Sequence, residues 1–322
     1  MLRNTLIRLG ASKRARAVVM HTPLRGLARR FVPGVDVEDL LRAVGEATRQ
    51  GLTATGNFLG ESVHDDANAR LAGDAYLEVL DGLNGLGLEA NVSLKFTQLG
   101  QDVSEPFLAD NLGRLLDRAE KADSFIRFDM ESSEYTQRTL DAFEKLWSEG
   151  RRGIGVVLQS YLKRSAGDVA RMIELGARVR LCKGAYAEPA EVAFQSRDEV
   201  DASYVALMKA LLADGNYPAI ATHDELMIEE TLAFARSEGI APDRFEFQML
   251  HGVRRDLQRK LRDEGWRVRV YVPFGTHWYP YLMRRLAERP ANILFMAGSV
   301  VQESPLRFLW PRRRGRKQAG AE

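Results

Sequence analysis

Side chains able to hold protons or anions recur at one kind of place in this sequence, the carboxyl end of a short apolar run. Lys95 ends one run, Asp129 and Glu131 the next, then come Gln159, Lys183, and His223 with Asp224, while His251 follows another run and Tyr271 closes the last. Carboxylates, imidazole and phenol are the groups of acid-base chemistry, and lysine and arginine fix anions. Any one of these residues is accounted for as a polar side chain where a strand meets solvent; their repetition from run to run points to a shared pocket. Arg180 is different, because it interrupts the apolar stretch VRLC. A guanidinium buried there needs an anionic or hydrogen-bonding partner, and a ligand rich in acceptors is one solution. Further on, Tyr281, Arg284 and Glu288 fall at helical spacing, with Arg285 adjacent. Residues three or four apart share a helical face, and paired arginines are forks suited to a carboxylate or phosphate. Such a pair also serves as plain surface charge, but here it lies among aromatic residues that would wall a pocket.

Eight β-branched apolar runs carry these side chains: LTATGNFLG from Leu52, ANVSLKFT from Ala90, FIRFDME from Phe125, GIGVVLQS from Gly153, RVRLCKG from Arg178, PAIATHD from Pro218, FEFQML from Phe245 and RVRVYVP from Arg267. The intervals hold helical patterns such as TLDAFEKLW, AGDVARMIELG and DASYVALMKALLADG. Strand and helix alternating eight times require right-handed crossovers between parallel neighbours, and a closed (β/α)8 barrel is the simplest solution. Its strand ends converge on one mouth, where such barrels carry their chemistry. No linker-like stretch interrupts the middle of the chain, so the expected organisation is a basic segment at 1–35, one barrel domain at 36–306 preceded by an extra helical segment, and a basic tail at 307–322. An open doubly wound sheet would carry a glycine-rich turn after its first strand, whereas the nearest candidate, GLNGLGL at Gly82, precedes a strand.

Composition narrows the class. The chain has 322 residues, 45% of them hydrophobic and 28% charged, which suits a soluble globular protein and excludes disorder throughout. No window approaches the roughly 18 to 20 apolar residues of a membrane span. The start lacks a compact apolar run with a cleavage site, so a cytoplasmic location follows by default. One cysteine, Cys182, excludes an intramolecular disulfide, and none of the five histidines pairs at zinc-motif spacing, so no metal is expected. The net charge of +2 is unevenly spread: no acidic residue occurs before Gly34, and PLRFLWPRRRGRKQAG near the end is strongly basic. These ends read as solvated, frayed termini or as a foothold on an anionic surface.

The segments NVSLKFTQLG, FDMESS, GVVLQSYLKR, RLCKGAY, ATHD, EFQMLHG and YVPFGTHWYPYLMRRLAERPAN resemble, in order and approximate spacing, those of the proline dehydrogenases, from about Thr53 to Phe295. The resemblance implies a distorted (β/α)8 barrel that oxidises L-proline to Δ1-pyrroline-5-carboxylate with noncovalent FAD. It also implies a quinone as electron acceptor, which would give the basic ends a reason to meet the inner face of the cell membrane. By motif position, Lys95, Arg284 and Arg285 look like a clamp for the proline carboxylate, and Asp129 like a catalytic-site acid that orients these cations. Leu250, Tyr271 and Tyr281 would pack on the pyrrolidine ring, and Arg180 resembles the arginine near the flavin's reactive nitrogen. Met130, Gln159, Lys183, Gly184, Ala185, Thr222, His223 and Glu288 match positions that contact FAD. Two residues depart from the pattern: Asp224 stands where Asn is expected, and Cys182 where an aliphatic residue is common.

Two other classes compete. A barrel aldolase would use Lys95 or Lys183 as a Schiff-base nucleophile and form a borohydride-trappable adduct, but that leaves Arg180 and the Thr222–His223 pair without roles. A nucleic-acid-binding protein would account for the basic ends and nothing between them, and no nucleic-acid partner is expected.

Overall fold

The structure is a computed structural model that describes residues 24–60 and 63–288, the side chains of 24–27 and 284–288 excepted. Most of the basic segment at 1–35 and all of the tail at 307–322 therefore lie outside the described residues. The chain divides into two compact units, one spanning Phe31–Trp278 and the other made of residues 1–30 with 279–322.

The larger unit is a closed parallel barrel whose strands follow one another in chain order, β1 pairing with both β2 and β8. The strands are β1 (Thr53–Phe58), β2 (Asn91–Leu94), β3 (Phe125–Phe128), β4 (Ile154–Gln159), β5 (Arg178–Cys182), β6 (Ala219–Ala221), β7 (Glu246–Leu250) and β8 (Val268–Phe274). All eight expected runs become strands. Among the described residues two helices precede β1, α1 (Leu24–Phe31) and α2 (Val37–Arg49). The crossovers are α3 (Asp66–Gly85), α4 (Glu105–Lys121), α5 (Ser133–Ser148), α6 (Ser165–Leu175), α7 (Arg197–Asp214), α8 (Glu225–Ser237) and α9 (Arg255–Asp263), and α10 (Trp278–Glu288) follows β8. Helix starts follow local chemistry: Asp65 and Ser104 cap α3 and α4, and Ser196 with Glu199 forms a capping box on α7. α2 buries Val37, Leu40, Ala43, Val44 and Ala47, and Leu40 crosses β1 at Gly56, where a Cβ would come within 2.9 Å of the leucine.

The wall between strands and helices is apolar, as a barrel requires. The inside of the barrel is not. Strand alternation turns Ser93, Arg127, Arg180, Glu246, Gln248 and Arg269 inward, and all are buried. Low in the barrel, Arg269 donates from Nε to Glu246 at 2.9 Å, from Nη1 to the Ala54 carbonyl at 2.9 Å and from Nη2 to Glu89 at 2.8 Å. Burial pushes the Glu246 carboxyl up, but the Arg269 guanidinium more than offsets this and leaves it below the usual range. Arg127 lies across Gly155 of β4, and burial and then the neighbouring Arg180 charge lower it to about 9.

The Arg269–Glu246 pair is internal, and without Glu246 the buried Arg269 charge is left with only the exposed Glu89 as a carboxylate partner. Glu246→Leu should cost about 3–5 kcal/mol, read as a lower urea midpoint. Glu246→Leu combined with Arg269→Leu should recover much of that loss. An unchanged midpoint in the single variant would contradict the pairing.

Candidate active site

Arg180 organises the upper part of the barrel. Its Nη1 donates to Asp129 Oδ1 at 2.7 Å, its Nη2 to Ser93 Oγ at 2.8 Å and its Nε to Gln248 Oε1. Asp129 accepts at its other oxygen from the Tyr271 hydroxyl at 2.7 Å, and the Tyr271 ring lies with its centroid 5.3 Å from the guanidinium carbon. Strands β2, β5, β7 and β8 and the residue just past β3 thus meet on one cation. The expectation that a ligand would supply acceptors to Arg180 is only part of the answer, because three of its nitrogens have protein acceptors. Burial, and next the Asp129 charge, push the Tyr271 phenol well above its ordinary range, so it stays a neutral donor.

Lys95 comes directly after β2 and stands level with Asp129, since Leu94 is the register partner of Phe128 and accepts a bond from Asp129 N at 2.8 Å. Its side chain is half-buried and has no hydrogen bond or ion pair among the described residues. Thr97 and Gln98, just beyond it, are held firmly. Thr97 Oγ1 donates to the buried Glu131 at 2.6 Å, and Gln98 donates to the Phe58 carbonyl at 2.9 Å while accepting from Tyr76. Glu131 is therefore a brace between the ends of β2 and β3.

The remaining strand ends carry the expected cofactor residues. Met130 and Gln159 are buried, and Gln159 donates to the Glu131 carbonyl at 2.8 Å. His223 Nε2 accepts from Leu250 N at 2.8 Å, which puts the proton of the neutral ring on Nδ1 and fixes the backbone at Leu250. Thr222 Oγ1 accepts from Asp224 N at 3.0 Å. Lys183 donates to Asp201 and, at 2.9 Å, to Asp224, whose carboxylate also accepts from Arg197 at 3.2 Å and from Leu226 N at the start of α8. A carboxylate at 224 can therefore balance Lys183, which the expected amide could not. Paired with two carboxylates, Lys183 is the opposite of a desolvated Schiff-base nucleophile. Gly184 has φ +113, where a Cβ would sit 2.1 Å from the Tyr161 ring, and Ala185 is exposed. Tyr281 is buried within α10, in the smaller unit. The side chains of Arg284, Arg285 and Glu288 lie outside the described residues.

Sequence reasoning passed over Ser93, Gln248, Arg127, Glu246 and Arg269. The signal was present as period-two alternation: Asn91, Ser93, Lys95; Arg127, Asp129, Glu131; Glu246, Gln248, Leu250; and Arg267, Arg269, Tyr271.

A family model for proline dehydrogenase matches residues 40–298. The chain belongs to the proline dehydrogenase family. It is 39% identical over 280 residues to the proline dehydrogenase of Deinococcus radiodurans, covering 86% of this chain and 90% of that one. It is 36% identical over 303 residues to proline dehydrogenase 1 of Bacillus subtilis, covering 94% and 100%. Among solved structures, proline utilization A from Bdellovibrio bacteriovorus, inactivated by N-propargylglycine, matches with a TM-score of 0.79 at 25% identity over 92% of this chain and 36% of that one. This chain thus spans about a third of that larger protein. The family fixes the activity as that of a proline dehydrogenase. No helix among the described residues is long and apolar enough to cross a membrane.

His251, just past β7, gives a pH test. Burial, and next Arg255, lower its imidazole from 6.5 to about 4. The unfolded chain therefore binds the proton first, so stability should fall as pH drops below about 6.5 and level off near 4. In His251→Phe that part of the pH dependence of the urea midpoint should flatten; an identical profile would contradict the assignment.

Proposed function

We infer that the chain is a flavoenzyme that oxidises L-proline to Δ1-pyrroline-5-carboxylate by hydride transfer to FAD, with a quinone taking the electrons onward. The observation that carries this reading is the state of Arg180. A guanidinium has five N–H donors, and three are accounted for by Asp129, Ser93 and Gln248. The other two have no acceptor among the described residues, although the side chain is only 7% exposed. An acceptor-rich, partly anionic ligand fits that need, and the edge of a flavin ring is such a ligand. Gln159, Thr222, His223 and the open backbone at Gly184–Ala185 add polar groups along neighbouring strand ends, so the residues present fit FAD. Met130 and Lys183 belong to the same rim.

When bound, FAD supplies the two-electron acceptor for the hydride that leaves the proline ring. The chain supplies position and charge. Lys95 offers to the substrate carboxylate an ammonium with no partner among the described residues, and its setting by Glu131 and Tyr76 limits where that carboxylate can lie. Arg284 and Arg285 keep the carboxylate role, and Glu288 the cofactor role, that resemblance gives them. Asp129 accepts one bond at each oxygen from the protein, which leaves lone pairs for the substrate's ammonium. Tyr271 and Leu250 are held in place through Asp129 and His223 and form apolar walls for the pyrrolidine ring, and Tyr281 is assigned to the same ring by resemblance. The fixed charge of Arg180 favours negative charge on a ligand beside it. Contact of the basic chain ends with an anionic lipid surface would bring the enzyme to a membrane quinone.

The reading is tested by colour. Purified protein should carry the flavin absorption bands and bleach on anaerobic addition of L-proline; colourless protein that cannot be reconstituted with FAD would contradict it. Lys95→Met should weaken proline binding by roughly 1.5–3 kcal/mol, or one to two decades, in a titration of that bleaching. FAD retention should stay unchanged, and unaltered proline affinity would remove Lys95 from the clamp.

A further inference from the structure

α5 begins without a local cap. Ser132 stands at its N-cap position but makes no side-chain capping bond. The first amides of a helix need acceptors, and here the acceptor comes from 55 residues further along the chain. Glu188, in the segment between β5 and α7, accepts from Ser133 N at 2.7 Å and from the Ser133 hydroxyl. A carboxylate at a helix N-terminus is also favoured by the helix dipole. The same carboxylate accepts from the Tyr161 hydroxyl at 3.5 Å.

Tyr161, two residues past β4, meets this segment repeatedly. Its N–H donates to the Lys183 carbonyl at 2.9 Å, its carbonyl accepts from Phe194 N at 2.8 Å, and its ring fills the space that a side chain at Gly184 would need. The neighbouring residues add a bridge between Leu162 and Ala193, a bond from Lys163 N to the Val192 carbonyl at 3.0 Å, and one from Lys163 Nζ to the Ala190 carbonyl at 2.7 Å. Residues 183–196 thus form a strap laid across the ends of β3, β4 and β5. Lys183, Gly184 and Ala185, at the start of the strap, are three of the residues that resemblance assigns to the cofactor. Both ends of the strap rest on the stretch 161–163, and Glu188 ties its middle to α5.

We propose that Glu188 is a positioning residue that retains the cofactor, by fastening the strap to Ser133 and Tyr161 and so holding Lys183–Ala185 in place. The inference rests on the FAD reading. It differs from a purely structural role in what it moves: the rate at which cofactor leaves, rather than turnover by enzyme that already holds it.

The test uses the purified holoenzyme and the variants Glu188→Ala, Glu188→Gln and Ser133→Ala. FAD release after dilution is followed by recovery of flavin fluorescence. Removing a helix cap is worth on the order of 1 kcal/mol, so release should quicken roughly fivefold in Glu188→Ala. Glutamine keeps an acceptor and should restore most of the retention, and Ser133→Ala should fall between. The rate with saturating FAD should stay near that of the parent, and the melting temperature should fall by no more than about 2–4 °C, the size of one lost cap. Unchanged release in Glu188→Ala would overturn the proposal. So would release, melting temperature and turnover failing together without rescue by glutamine. Should Glu188→Ala not fold, Glu188→Gln and Ser133→Ala decide by the same comparison. If the parent protein binds no FAD, the flavin reading fails by itself; amide hydrogen exchange across 184–194 then decides the clasp, with faster exchange in Glu188→Ala supporting it and equal exchange overturning it.

Discussion

A guanidinium cannot be left dry and unpaired inside a protein, and the upper barrel is arranged around that constraint. Arg180 projects from β5 into a space that most barrels fill with branched aliphatic side chains. Its acceptors come from β2, β7 and the residue just past β3, Asp129, which passes the interaction on to Tyr271 of β8. Five strands are thereby locked in rotation about the barrel axis by polar contacts as well as by the sheet. Breaking any of these contacts leaves a buried group short of a partner, so the arrangement is held to one geometry.

The layer beneath has the same character. Arg269 and Glu246 neutralise each other, whereas Arg127 bonds to the carbonyls of Val156 and Arg178 and has a buried Nε with no acceptor among the described residues. Arg127, Arg180, Arg269 and Lys95 stand against the carboxylates of Asp129, Glu246, Glu131 and Glu89. The charges balance in number, and their placement differs: the carboxylates of Asp129, Glu246 and Glu89 accept from arginines, whereas Lys95 has no ion-pair partner among the described residues. A fixed cation in a water-poor setting acts strongly on an anion that comes beside it, and needs no rearrangement when the anion arrives.

Much of this was legible in the sequence, and the parts that were not have physical causes. The eight strands follow from apolar runs bounded by polar turns, and each appears where its run predicts. Their lengths do not always agree: the run from Ala90 to Thr97 gives a strand of only Asn91–Leu94, because Glu131 and Tyr76 draw the chain after Lys95 into a 3-10 turn. Arg180 stood out because it broke an apolar run. Arg127, Gln248 and Arg269 did not, because they sit in runs already dotted with charge, and only strict alternation reveals that they share a face. Pairings across the barrel, such as Arg180 with Ser93, join residues 87 positions apart, and no local pattern records them. The opposite case is Asp224, whose departure from the family pattern was visible but whose partner, Lys183, was not.

The central claim is that Arg180 is the fixed charge beside the cofactor, and the reduction potential of bound flavin tests it most directly. Arg180→Met keeps the length of the side chain and removes its charge, so a reduced, negatively charged flavin would lose its stabilising neighbour. The variant's two-electron potential should fall by about 30 mV or more, the equivalent of roughly 1.4 kcal/mol, with weaker retention of FAD. A variant that holds FAD as the parent does, at an unchanged potential, would contradict it and return Arg180 to a purely structural part in the barrel.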